Sequence, residues 1–333
     1  MVKPLSFLYV LLPFAYYYIG TVALLSYFYG LKALNLKLPV YVLLPLVFVL
    51  MFWLVLIAKQ DIFDGLLVAR FFWGWIFFYL FFLNGYLINL HSLLKIIAIL
   101  VIIEAAIVNT LISATELPNY PDAEFEDTHI ARDGNYQRPF SFGGSASVTS
   151  AVIVSIMAHL RQNLRSSFLG FAAIAACMSG TGFFLLLLSF FYRYWRNFLF
   201  LLVLVPLFLY VFFENMISRF SLDYVTFLFH DKLTQWSHDG VADSVQDFLV
   251  GQNLAQVGAI GGDFQILSFL NLNGVVGVAL LFVLVGVNLN RLNWFPIVAM
   301  LLGTMHYGVI FYLPGQFMFG YFLALRSYTL NRN

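Results

Sequence analysis

Apolar runs recur along the chain at 5–29, 39–58, 66–83, 93–113, 144–160, 197–213, 265–287 and 294–312, with a shorter one at 314–325 behind Pro314 and Gly315. A helix rises about 1.5 Å per residue, so roughly 20 residues cross the ~30 Å hydrocarbon layer of a membrane. Within that layer each backbone N–H and C=O must be bonded inside the protein, which leaves helices as the spanning element for runs of this kind. Charged residues make up 10% of the chain against 62% hydrophobic ones, so lipid is its main solvent. The expected fold class is all-α: a single polytopic membrane helical bundle over 1–333, with no repeat of fixed period. Met1 to Gly30 holds one lysine and an apolar run too long for a signal peptide, and it reads as a retained first span.

The stretch 167–192 is too long for one span and is interrupted at Ser179-Gly180-Thr181-Gly182, residues that favour a turn or unwound helix. Arg161 and Arg165 precede it, and Arg193 and Arg196 follow it. A broken hairpin keeps both pairs on the cytoplasmic side, as the excess of arginine and lysine in cytoplasmic loops requires. Two such short halves are tolerable where the turn is buried in protein or lines a watery cavity, and the turn is expected to face a cavity. The count comes to about eleven transmembrane helices, N-terminus out and C-terminus in. Lys3 and Lys59 are then left on the outer side, against the charge rule.

Two polar stretches, 114–143 and 214–263, hold thirteen of the sixteen acidic residues. Four crossings separate them, so both are expected on the outer face as two external loops forming a cavity. Their cations are few: Arg132 and Arg138 in the first, Arg219 and Lys232 in the second. Arg138 is followed by Pro139 and then by Gly143, Gly144 and Ser145, which supply backbone amides and an N-cap to the next span. An arginine beside a helix N-terminus suits a phosphate, since the guanidinium binds two oxygens at once. Pairing with a loop carboxylate or snorkelling to lipid headgroups is the alternative role for Arg138. In the second loop Leu222, Val225, Phe229, Leu233 and Trp236 recur at helical spacing, the pattern of an amphipathic interfacial helix flanked by His230 and Lys232. His238 and Asp239 follow it as a candidate general base and its orienting carboxylate.

Other chemistries find less in the chain. The scattered cations form no basic stripe for nucleic acid. One cysteine, Cys177, excludes an internal disulfide or a cysteine metal cluster. The six histidines stand at no metal-ligand spacing, so neither a metal nor another cofactor is expected. Arg70 and Glu104 fall inside spans, where a charge costs about 2.5–3.5 kcal/mol on insertion scales unless compensated; their positions permit them to pair, and a structural ion pair is favoured over a transport relay. His159 and His306 read as hydrogen-bonded structural residues.

The order of parts resembles the bacterial O-antigen polymerase and O-antigen ligase family, polytopic GT-C type enzymes that move glycans between lipid carriers on the periplasmic face. Arg138-Pro-Phe-Ser-Phe-Gly-Gly-Ser is similar to the arginine and glycine segment that enters a span after the family's earlier external loop. Met178-Ser-Gly-Thr-Gly-Phe-Phe followed by four leucines resembles its serine-rich break before an aliphatic run, although Gly180 and Thr181 stand where an arginine is common. Ser218-Arg219 resembles the opening of the large external loop, with Lys232 where a second loop arginine is common. Phe248-Leu-Val-Gly-Gln, Gly261-Gly-Asp-Phe and Leu272-Asn-Gly-Val-Val-Gly277 resemble the loop's ending, and the likeness covers about 130–290. Arg132 lies eleven residues before Gly143, a spacing similar to loop motifs of some polymerases.

The resemblance implies a glycosyltransferase of the bacterial inner membrane with its site facing the periplasm. It implies a polyprenyl-diphosphate-linked oligosaccharide as donor, a second lipid-carried glycan as acceptor, membrane lipid around both, and a chain-length regulator as protein partner. Arg138, Arg219 and Lys232 would hold the diphosphate without a metal, with Arg132, His230, Gly143 and Gly144 lining the same site and His238 with Asp239 acting as base. The three diphosphate cations are expected to converge within about 10–15 Å, on the order of a Debye length. A ligase would pass the glycan to lipid A core instead. A non-enzymatic polysaccharide or lipid transporter would need a polar path across the membrane, for which Arg70, Glu104 and His306 are few.

Overall fold

The computed structural model describes residues 3–4, 40–111, 132–133, 136–139, 145–160, 164–194, 226, 230, 244–254 and 265–330. Among them lie eleven α-helices and four two-residue strands. The helices are α1 (Val40–Lys59), α2 (Ile62–Trp73), α3 (Trp75–Leu83), α4 (Leu90–Thr110), α5 (Ala146–Leu160) and α6 (Leu164–Cys177). They continue with α7 (Gly180–Tyr194), α8 (Val245–Val250), α9 (Gln265–Asn288), α10 (Trp294–Tyr307) and α11 (Leu313–Leu330). The strands pair as β1 (Lys3–Pro4) with β2 (Tyr86–Leu87), parallel, and β3 (Arg132–Asp133) with β4 (Tyr136–Gln137), antiparallel.

A helical, membrane-type architecture is present, but the expected count of about eleven full spans is too high for the described residues. Three helices, within α1, α4 and α9, are long and apolar enough to cross, or up to four if α2 and α3 form one span bent by 57°. The shortfall is one of length. Helices α5 and α7 have 15 residues and α6 and α10 have 14, so each rises only about 21–23 Å. The predicted runs 5–29 and 197–213 lie outside the described residues.

The bend between α2 and α3 shows how an interrupted helix stays satisfied in lipid. A kink frees carbonyls that hydrocarbon cannot solvate. Here the buried Gln316 of α11 donates its Nε2 to Arg70 O at 3.3 Å, Phe71 O at 2.7 Å and Phe311 O at 2.8 Å. The Trp75 indole donates to Phe72 O at 3.1 Å. An aromatic layer seals the region, with Phe72, Phe269 and Phe311 in mutual ring contact and Trp73 against Phe269.

Helix α5 is the centre of the bundle. Each residue from Ala146 to Met157 is buried, and α4, α6, α7, α10 and α11 pack around it. Small and hydroxylated residues permit that crowding, because they let backbones approach and bond their own polar atoms. Ser150 Oγ donates to Ser147 O at 3.0 Å and Ser155 Oγ to Ala151 O at 2.8 Å.

The predicted break in 167–192 occurs slightly earlier than expected. Met178 adopts a left-handed φ of 45°, and Ser179 caps α7 through Gly182 N donating to its Oγ at 3.2 Å. Gly180, Thr181 and Gly182 are thus the first turn of α7, not an unwound segment. Serine ranks above glycine and threonine as an N-cap, which favours the boundary at Ser179. Ser179 is fully buried and donates to Ser147 Oγ at 3.0 Å, so protein encloses the break.

Side-chain bonds sort the helix ends onto two faces. On the first, the Arg326 guanidinium stands 5.1 Å above the Tyr41 ring and donates to Val287 O. Tyr79 donates to Asn288 at 2.8 Å, Asn293 Nδ2 reaches Asn288 O and Phe322 O at 2.9 Å each, and His159 Nδ1 lies 3.2 Å from Leu292 O. His159 is therefore a structural contact, as the sequence suggested. Tyr321 bonds the backbone at Ile88, which adds β2 and the start of α4 to this face. Since β1 pairs with β2, Lys3 belongs to the face of Arg326, opposite Lys59, whereas the two lysines were expected on one side. The second face holds Lys59, the end of α4, the starts of α5 and α9, and the α10–α11 connection.

Candidate functional site

Both polar loops join the bundle at this second face. The first is clamped to the last turn of α4. Asn109 Oδ1 accepts from Gln137 N at 2.7 Å, and its Nδ2 donates to Gln137 O at 2.8 Å, which fixes the residue just before Arg138. Tyr136 Oη donates to Ala176 O at 2.7 Å, tying the same strand to the end of α6. Burial pushes the Tyr136 phenol above its ordinary range, and the nearby Cys177 and Glu104 push it further. Arg138 is 6% exposed. Ser145 then caps α5, with Val148 N donating to its Oγ at 3.1 Å, as its position before the span implied.

Glu104 belongs to this cluster. It is buried on α4, and both it and Arg138 bear electrostatically on the Cys177 thiol at the end of α6. Arg70 sits at the α2–α3 bend, where Gln316 holds its carbonyl. Five residues of helix, about 7.5 Å of rise, separate Glu104 from the Asn109 clamp, which brings the carboxylate below the loop entrance.

The second loop is held by a clasp between α1, α8 and α9. Ser244 caps α8, accepting from Asp247 N at 3.1 Å and donating to Asp247 Oδ2 at 2.8 Å. Lys59 Nζ, at the end of α1, bonds Asp247 Oδ1 at 2.6 Å and also Gly251 O. Gly251 has φ 92° and ψ 168°, and Gln252 N donates to Asn271 O at 2.6 Å. Opposite it α9 breaks at Gly274, φ 60° and ψ −173°, so the two glycine backbones face each other. A Cβ on Gly251 would strike the Leu272 and Asn273 backbone, and one on Gly274 would strike Leu249 and Gly251. Lys59, anomalous by the charge rule, is thus on the face of the second loop and bound by it.

Asp247 gives this clasp a pH dependence. The Lys59 ammonium and the Ser244 hydroxyl hold its carboxyl below the usual carboxylate range. A depressed carboxylate stabilises docking above its unfolded value and loses that contribution as pH falls through its folded one. Hydrogen exchange across 244–254 is expected to quicken below the ordinary carboxylate range, and Asp247→Asn is expected to abolish the pH dependence. An unchanged profile in the variant would assign the titration elsewhere.

Of the predicted site residues, Arg138 is buried at the first loop's entrance. Arg132 pairs in register with Gln137, which brings its backbone beside that of Arg138 at one end of a hairpin. His230 is helical and exposed, as is Thr226. Gly143, Gly144, Arg219, Lys232, His238 and Asp239 lie outside the described residues, and so does the predicted convergence of the three cations. No group of three or more metal-ligating side chains occurs among the described residues. Sequence reasoning missed Asn109 and Asp247 as anchors, and also Gln265, fully buried at the start of α9, whose Nε2 bonds Tyr312 Oη at 3.0 Å. The one available signal was Lys59, an unexplained cation on the loop face. No protein-family model, curated protein or solved structure matches the chain.

Proposed function

We propose that the protein is a polysaccharide polymerase of the bacterial inner membrane, transferring a polyprenyl-diphosphate-linked glycan onto an acceptor glycan on a second lipid carrier at the periplasmic face. The observation that carries the reading is the anchoring of both polar loops on one face, through the Asn109–Gln137 clamp beside Arg138 and the Lys59–Asp247–Gly251–Gly274 clasp. Loops fixed to one face suit a shared site above the bundle, with lipid chains along the helices and sugars among the acidic residues.

In this mechanism the acceptor hydroxyl oxygen attacks the anomeric carbon of the donor. The bond from that carbon to the diphosphate oxygen breaks, and polyprenyl diphosphate leaves. Arg138, Arg219 and Lys232 stabilise the charge that develops on the leaving group. Arg132, His230, Gly143 and Gly144 line the same site. His238, oriented by Asp239, takes the acceptor proton.

A deletion strain discriminates the alternatives. A polymerase is expected to leave single repeat units on the surface lipid, whereas full-length chains held on the carrier would identify a ligase. An unaltered surface glycan would reject both and favour a transporter of another substrate.

A further inference from the structure

Among the described residues, Glu104 and Arg138 are the charged side chains that are buried, each 6% exposed. They carry opposite signs and come from adjoining elements, α4 and the end of the β4 strand. Asn109 binds the Gln137 backbone from α4, and Tyr136 Oη binds the residue next to Cys177. The two buried charges therefore share one small region between α4, α6 and the first loop. A buried charge there is costly unless an opposite charge or hydrogen-bond partners compensate it.

We propose that Glu104 is a positioning residue for Arg138, holding one edge of the guanidinium so that the other is presented to the donor diphosphate. This rests on the reading of Arg138 as a diphosphate ligand. A guanidinium carries five N–H donors in a planar fork, so a carboxylate on one edge leaves donors for a phosphate on the other. Without the carboxylate, the side chain loses its fixed plane and the buried positive charge loses its balance.

The test uses the full-length protein in nanodiscs with undecaprenyl diphosphate as probe, and the variants Glu104→Gln, Glu104→Asp, Arg138→Gln and the double Glu104→Gln/Arg138→Gln. Each single glutamine variant is expected to lower the thermal midpoint, and the double variant to be more stable than the sum of the singles predicts. Glu104→Gln is expected to weaken probe binding about tenfold, the scale of one misaligned charge-assisted hydrogen bond. Glu104→Asp should recover part of that affinity, and Glu104→Gln should have no further effect once Arg138 is glutamine. Additive midpoint shifts would overturn the pairing. Loss of binding in Arg138→Gln with full binding in Glu104→Gln would overturn this inference alone. Full binding in Arg138→Gln would overturn the diphosphate reading itself and this inference with it. If a single variant fails to fold, the double variant, which buries neither charge, still reads the coupling.

Discussion

Arg138→Ala is expected to abolish long surface polysaccharide and to destabilise the protein at once. The guanidinium is buried in the same region as the Glu104 carboxylate. Removing one partner of a buried ion pair typically costs about 3–5 kcal/mol, because the remaining charge stays desolvated. Loss of a preorganised donor to developing charge lowers turnover by roughly 10²–10³-fold. Arg138→Lys keeps the charge but not the planar fork, so it should recover more stability than activity. A surface-glycan ladder together with a thermal midpoint in detergent separates the effects. A midpoint loss with a normal ladder would make Arg138 purely structural.

The second large effect is expected at Gly274. Its backbone lies in a region that costs a residue with a side chain about 1–3 kcal/mol. The Cβ of Gly274→Ala would also meet the Leu249 carbonyl and the Gly251 amide, and displacing them adds about 1–3 kcal/mol of overpacking. Backbone cannot yield as a flexible side chain would, so α8 should undock and 244–254 should lose hydrogen-exchange protection. Gly286 supplies the control, since it lies on the same helix with nothing within 4 Å of its added Cβ. Gly286→Ala should be neutral or stabilise by up to about 1 kcal/mol, as alanine is the better helix former. Equal effects at both positions would argue against the backbone contact.

Local physics made much of the fold legible. Ser145 reads as an N-cap because a serine follows two glycines and precedes an apolar run, and its Oγ accepts from Val148 N. The break near Ser179 follows from charge placement and glycines, although the serine's capping strength moved it to Met178. Span counting failed where the periodicity is right but the helix is short, as in α5, where enclosure by five neighbours replaces contact with lipid. Pairings between distant segments were the least legible. Nothing local in Gly251 or Gly274 announces that they face each other, and nothing local to Asn109 announces its two bonds to Gln137. Lys59 shows what an exception can carry: a cation on the wrong side by charge statistics proved to have an acidic partner there.

The proposed polymerase activity requires the two loops to form one site for glycan transfer between lipid carriers. It is tested most directly by adding a synthetic polyprenyl-diphosphate-linked repeat unit to the purified protein in nanodiscs and resolving the products by mass. The expected products are carrier-linked glycans lengthened by whole repeat units, with one free polyprenyl diphosphate released for each addition, and far slower lengthening by the Arg138→Lys protein. A repeat unit that stays unextended while the protein is folded and binds the lipid would contradict it.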